Sequence, residues 1–127
     1  MEQVWTRFSQ RFVELWTAYP TGDGYPAPLF EGREGRASLR VAQESYMRQL
    51  FADALGFAGT AMIRRTLGLA HNVDLESIED PDRRASCERR NLRLARELML
   101  GPAAFPDIAS VTAQAVQIER TELTGAR

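Results

Sequence analysis

The sequence predicts an all-α fold. Apolar residues recur at steps of three and four along most of the chain. Proline and glycine interrupt that periodicity at intervals of about one helix length, and no alternating strand pattern lasts more than a few residues. The first element, residues 2–19, carries Trp5, Phe8, Phe12, Leu15 or Trp16, and Tyr19 on one face, and Pro20 stops it. So large an aromatic stripe at helical spacing predicts a core-facing surface. Residues 20–35, "PTGDGYPAPLFEGREG", hold three prolines and four glycines and predict a loop. Its Tyr25, Leu29 and Phe30 should pack across a neighbouring helix.

A second helix is expected over about 37–55, with Ser38 as N-cap and Leu39, Ala42, Tyr46, Leu50 and Ala54 on its buried face. A third follows over about 57–70, interrupted from the second near Gly56 and Gly59. "DLESI" from Asp74 reads as a short turn. Asp80-Pro81 opens the next helix, about 81–100, because aspartate caps a helix start and proline suits its first position. Ala85, Leu92, Ala95, Leu98 and Met99 mark its apolar face, and Gly101-Pro102 ends it. A weaker helix spans about 107–122 through Ile108, Val111, Ala115 and Ile118. Together these form a single helical region over residues 1–127.

Composition narrows the function classes. The formal net charge of −1 gives no field that would gather nucleic acid or an anionic membrane. No stretch approaches the eighteen apolar residues of a membrane span, and "MEQVWTRF" has no apolar segment of a signal peptide. All 16 basic residues are arginine. Without lysine, no side chain here can hold ATP phosphates as an ammonium or form a Schiff base. A complete kinase or P-loop site is therefore absent from these residues. The single cysteine, Cys87, excludes an internal disulfide, fits a reducing compartment and reads as a small packing residue.

Gly56 to Ala70, "GFAGTAMIRRTLGLA", carries the most chemistry. Three glycines and the adjacent pair Arg64 and Arg65 sit in an otherwise apolar run, and each glycine costs a helix about 1 kcal/mol. Gly59, Ala58 and Ala61 make the preceding turn thin, so a backbone or ligand can approach. Two guanidinium forks suit phosphate or carboxylate oxygens, which makes the pair a candidate anion clamp. The alternative is a structural pair bridging to Asp53, Asp74 or Glu76. Both readings stand on residue types alone.

Two further features predict ordinary roles. His71 and Asp74 stand three apart, but two ligands make no metal site, so His71 reads as a capping or hydrogen-bonding residue. The arginines of "DRRASCERRNLRLAREL" interleave with Asp82, Glu88 and Glu97 at helical spacings and lack exposed aromatic neighbours. They predict a solvated, salt-bridged face and no nucleic-acid interface.

"DALGFAGTAMIRRTLGLAHNVDLESIEDPDRRASCERRNLRLARELML" resembles the C-terminal part of the S-methyl-5-thioribose kinase family. "VWTRFSQRFVELW" and "YMRQLFADALGFAG" extend the likeness, which is densest from Asp53 to Asp74 and covers roughly Val4 to Leu100. The resemblance implies the distal helical part of a protein-kinase-like C-lobe, related in fold to choline and aminoglycoside kinases. It implies a cytoplasmic, homodimeric enzyme of methionine salvage that passes the γ-phosphoryl group of ATP to the anomeric hydroxyl of methylthioribose. Carried over, Arg64 and Arg65 lie near substrate and transferred phosphate.

The family's glycine-rich loop, nucleotide-binding lysine, catalytic aspartate loop and metal-binding acidic motif have no counterpart here. ATP and Mg²⁺ are therefore expected in the complete enzyme and not on this chain alone. The expected partners are the missing kinase lobes or a split-enzyme partner. A non-enzymatic helical interaction module and a small anion- or sugar-phosphate-binding protein are the rival readings.

Overall fold

The computed structural model describes residues 2–20, 25–68 and 72–125, with side-chain surroundings given from residue 3 to residue 122 of these. His71 lies outside the described residues, as do positions 21–24 of the expected loop and the last residues of the helix expected to reach 70. The helices are α1 (Glu2–Ala18), α2 (Gly32–Leu67), α3 (Val73–Glu76), α4 (Pro81–Leu100) and α5 (Ile108–Gly125). Short 3-10 turns lie at Ala27–Phe30 and Pro102–Ala104, and no strand occurs among the described residues. Two compact units divide the chain, residues 1–51 and 52–127, where the sequence suggests a single region.

The largest departure is α2. It is one helix of 36 residues, where the sequence predicts two helices divided near Gly56 and Gly59. Both glycines are accommodated without a break, and the Thr60 hydroxyl bonds back to the Gly56 carbonyl at 3.0 Å. Propensity penalties of this size are small enough for packing to override. The start also moves, from the expected Ser38 cap to Gly32, which turns the chain out of the preceding 3-10 segment with φ of 74°. Glu34 then sits in the first turn, where the helix dipole favours an acid. Residues 27–30 and 32–35 are consequently helical turns and not loop.

In the first unit, the α1 stripe packs on the first part of α2. Trp5 lies 4.8 Å from Phe51, Phe12 stacks on Tyr46 at 5.7 Å and 5°, and Trp16 meets Tyr46 edge-on at 5.4 Å. Tyr25, from the segment before α2, meets Trp16 at 4.9 Å, so that residue folds back on a helix, whereas Leu29, also expected to pack, is exposed. Such ring pairs contribute about 0.5–1.5 kcal/mol each beyond area burial. The buried amide of Gln43 is satisfied by donating to the Thr17 hydroxyl at 2.9 Å.

The second unit is organised on α4. Ala95 and Leu98 of α4, Leu55 of α2, Phe105 and Ile118 of α5 are its buried apolar residues. Ala54 and Met99, expected inside, are exposed, and the buried row of α2 is Phe51, Leu55 and Gly59, one residue on from Leu50 and Ala54. Steps of four keep this row on one face, and it carries the bulkier side chains.

The caps of α4 explain its limits. The Asp80 carboxylate accepts the Asp82 and Arg83 amides at 3.0 and 3.3 Å, and the Gly101 amide closes on the Glu97 carbonyl. Replacing Asp80 with alanine should lower the unfolding free energy by about 1 kcal/mol, measured by urea titration, while Asp80→Asn should retain most of it. At α5, the Asp107 carboxylate accepts the Ser110 amide at 2.7 Å.

Polar links bind α4 to α5 and α3. Arg90 pairs with Glu119 at 2.7 Å and Glu122 at 3.7 Å, Ser86 donates to Glu122, and Gln114 donates to Glu97. Arg84 donates to the Glu76 carbonyl of α3 at 3.4 Å and, just beyond α3, to the Ile78 carbonyl from two nitrogens at 3.0 and 2.7 Å. Of the expected pairs within α4, Arg93–Glu97 is present at 3.6 Å. Among the described residues only Arg90 and Arg93 of this arginine-rich face form ion pairs, Arg90 across to α5 and Arg93 within α4, so the expected salt-bridged face is present in part.

Candidate functional site

The candidate site is the last turn of α2. Arg64 and Arg65 lie there as exposed side chains, and the Arg64 carbonyl accepts the Gly68 amide at 2.9 Å. Neither guanidinium hydrogen-bonds or pairs with a side chain or carbonyl among the described residues. The structural alternative, a bridge to Asp53, Asp74 or Glu76, is not what the structure contains. Ten N–H donors are thus presented to solvent on adjacent residues.

The glycines upstream divide in role. A Cβ placed on Gly59 would lie 2.6 Å from the Ala95 carbonyl oxygen and 2.6 Å from Met99 Cγ. The buried space at Gly59 is therefore filled by α4 and not left for a ligand. Gly56 has nothing within 4 Å of its Cβ position, so no such contact requires it. The thin turn serves helix packing, and it holds α2 against α4 a short distance before the arginines.

A second tie follows at Thr66, which sequence reasoning did not single out. Its hydroxyl donates to the Met62 carbonyl at 2.8 Å and accepts from Asn91 Nδ2 of α4 at 2.6 Å. The partners are 25 positions apart, so nothing local in the sequence signals the bond. Asn91 also lines a cleft of about 410 Å³, with Asn72, Asp74, Cys87, Arg90 and Glu119 among its walls. Asn72 caps α3, accepting the Asp74 amide at 3.2 Å.

Within that cleft Arg90 Nη2 donates to Cys87 Sγ at 3.1 Å. Burial alone would lower the Arg90 pKa, but its hydrogen bonds to Cys87 and Glu119 outweigh this and raise it. Arg90 is therefore a fixed, internally paired cation, unlike Arg64 and Arg65. No group of three or more His, Cys, Asp or Glu residues suited to a metal occurs among the described residues. No described helix is long and apolar enough to cross a membrane.

Known proteins are similar to this chain in sequence. Methylthioribose kinase 1 of Oryza sativa subsp. japonica is 42% identical over 122 residues, 94% of this chain and 28% of the rice protein. Methylthioribose kinase of Escherichia coli O45:K1 is 36% identical over 109 residues, covering 86% of this chain and 26% of the bacterial protein. The chain is homologous to the methylthioribose kinases. The enzyme of Geobacillus thermodenitrificans is a further relative, 35% identical over 120 residues. The chain spans 26–28% of the length of such relatives and corresponds to a C-terminal part of the kinase. Methylthioribose kinases belong to the protein-kinase-like superfamily, and the helical architecture here is a part of that fold. No family model matches the chain.

Proposed function

We propose that this chain is the C-terminal, substrate-side portion of a methylthioribose kinase, which phosphorylates methylthioribose at its anomeric hydroxyl with ATP in methionine salvage. The observation that carries the reading is the 42% identity to a rice methylthioribose kinase over 94% of the chain. Arg64 and Arg65 act there as a clamp on the transferred phosphate and substrate. Their exposure and lack of partners among the described residues support this role, because such a guanidinium fork is available to incoming oxygens. Such groups act by positioning and electrostatics as charge develops.

The residues present do not fit Mg·ATP. The chain has no lysine, and its described residues hold no acidic cluster of metal-binding size. Nucleotide and metal belong to the other segments of the kinase, in cis or on a split-enzyme partner, and no step through them is assigned to this chain. A cytoplasmic location and a homodimeric assembly accompany the reading.

Co-expression with the N-terminal segments of a methylthioribose kinase should yield ATP-dependent phosphorylation of methylthioribose, with none from the chain alone. Calorimetric titration of the chain with Mg·ATP should show no saturable heat, and micromolar binding would overturn the assignment of nucleotide to other segments. A second reading, a non-enzymatic helical interaction module derived from a kinase, is favoured by one feature. In the first unit, Phe12, Leu15, Trp16, Tyr19, Tyr25 and Tyr46 line an apolar cleft of about 410 Å³. Failure of every complement tested, where a relative's own C-terminal region succeeds, would select that module.

A further inference from the structure

We infer that Thr66 and Asn91 are positioning residues for the Arg64–Arg65 pair, fixing the last turn of α2 on α4 so that both guanidinium groups are aimed before substrate arrives. The inference rests on the clamp reading of the two arginines. Exposed arginines carry long side chains with much rotamer freedom, so a clamp built from them is only as well placed as the backbone beneath. That backbone has one polar tie immediately after the pair.

The Thr66 hydroxyl spends its single proton on the Met62 carbonyl at 2.8 Å and takes the Asn91 amide proton at 2.6 Å. Both groups are half-buried, which shields the bond from competing water. The first contact fixes the hydroxyl within its own helix, and the second fixes that helix to α4. About two turns earlier in α2, the Gly59 backbone lies against Ala95, so the same pair of helices is joined at two levels. Beyond Thr66, α2 ends at Leu67 and Gly68 closes on Arg64. Without the Asn91 bond the arginine turn is the unsupported end of a helix, where fraying concentrates.

The test uses the kinase assembled from this chain and the segments that supply its ATP site, with kcat and KM for methylthioribose measured per folded molecule. Thr66→Val keeps the shape of the side chain and removes the hydroxyl, and Asn91→Leu removes its donor. Each should lower kcat roughly tenfold to a hundredfold, the loss expected when a reacting group is displaced by about 1 Å. KM should change much less. Thr66→Ser, which keeps the hydroxyl, should recover most of the rate.

The decisive measurement repeats Thr66→Val in a chain that also carries Arg64→Ala and Arg65→Ala. With no guanidinium left to aim, the valine should cost little further rate. An equal loss with and without the arginines would overturn the inference and make Thr66 a general structural residue. Parental rates for Thr66→Val and Asn91→Leu, with the arginine variants slow, would overturn it while leaving the clamp standing. Parental rates for the arginine variants would remove the clamp and this inference together.

Discussion

Replacing Arg64 or Arg65 with alanine in the assembled kinase is expected to lower kcat by a factor of about a hundred or more while leaving the protein as stable as before. Loss of one donor aimed at developing charge in a water-excluded site costs about 3–4 kcal/mol of transition-state stabilisation. Stability should be unchanged within about 0.5 kcal/mol, because both side chains are exposed and neither pairs with another described residue. A structural ion pair would give the reverse, with stability falling and the rate per folded molecule intact. Lysine at either position restores the charge without the planar fork, so it should recover only part of the activity. Kinetics on the folded fraction, with circular dichroism melts of the same samples, check both halves. Equal kcat in parent and both alanine variants would end the clamp reading.

Ile118→Ala should produce the largest loss of stability. Ile118 is 1% exposed, the largest fully buried side chain among the described residues, and it lies on α5, which packs on α4. Truncating such a residue removes transfer free energy and leaves a cavity that close-packed neighbours fill only in part, about 2–5 kcal/mol together. Ile118→Val, which removes a single methylene, should cost about 0.5–1.5 kcal/mol. The neighbouring charge pair sets the contrast: Glu119 is 54% exposed at its side chain, so Glu119→Gln should cost no more than about 1 kcal/mol. Urea unfolding followed by far-UV circular dichroism would rank the three. A glutamine variant as damaging as the alanine would mean that the α4–α5 seam is held by charge and not by packing.

How far these features are legible in the sequence depends on how local their causes are. Both ends of α4 are written within a few residues, since Asp80, Pro81 and Gly101 act on the backbone beside them. The aromatic stripe of α1 is legible in part: Trp5, Phe12 and Trp16 meet α2 as their spacing predicts, while Phe8, Leu15 and Tyr19 stay exposed. The continuity of α2 is not legible. Gly59 looks like a break until Ala95 is seen against it, and that partner stands 36 positions along the chain. Phe51 is buried in place of Leu50 because it meets Trp5 of α1, and Leu55, in place of Ala54, lies on the same face as Gly59.

The candidate site divides in the same way. The residue types of Arg64 and Arg65 suggest anion chemistry at once, yet Asp53, Asp74 and Glu76 are near enough in sequence to offer an equally good structural explanation. Only the folded arrangement shows that these acids do not take them. The bond from Asn91 to Thr66 has no sequence signature, because asparagine in mid-helix and threonine after arginine are each unremarkable alone.

The Cys87 thiol also makes the second unit chemically addressable. It is the chain's one cysteine, half-buried in the cleft between α3, α4 and α5 with its sulfur 3.1 Å from Arg90. A maleimide or disulfide reagent therefore meets a single target whose access depends on the helices around it staying docked. The rate of alkylation becomes a clock for local opening, readable by mass in a crude mixture without purification or an assay for turnover. With no lysine side chains to compete, amine-directed chemistry leaves this region untouched, so a fluorophore on the thiol would report on α4 and its neighbours alone.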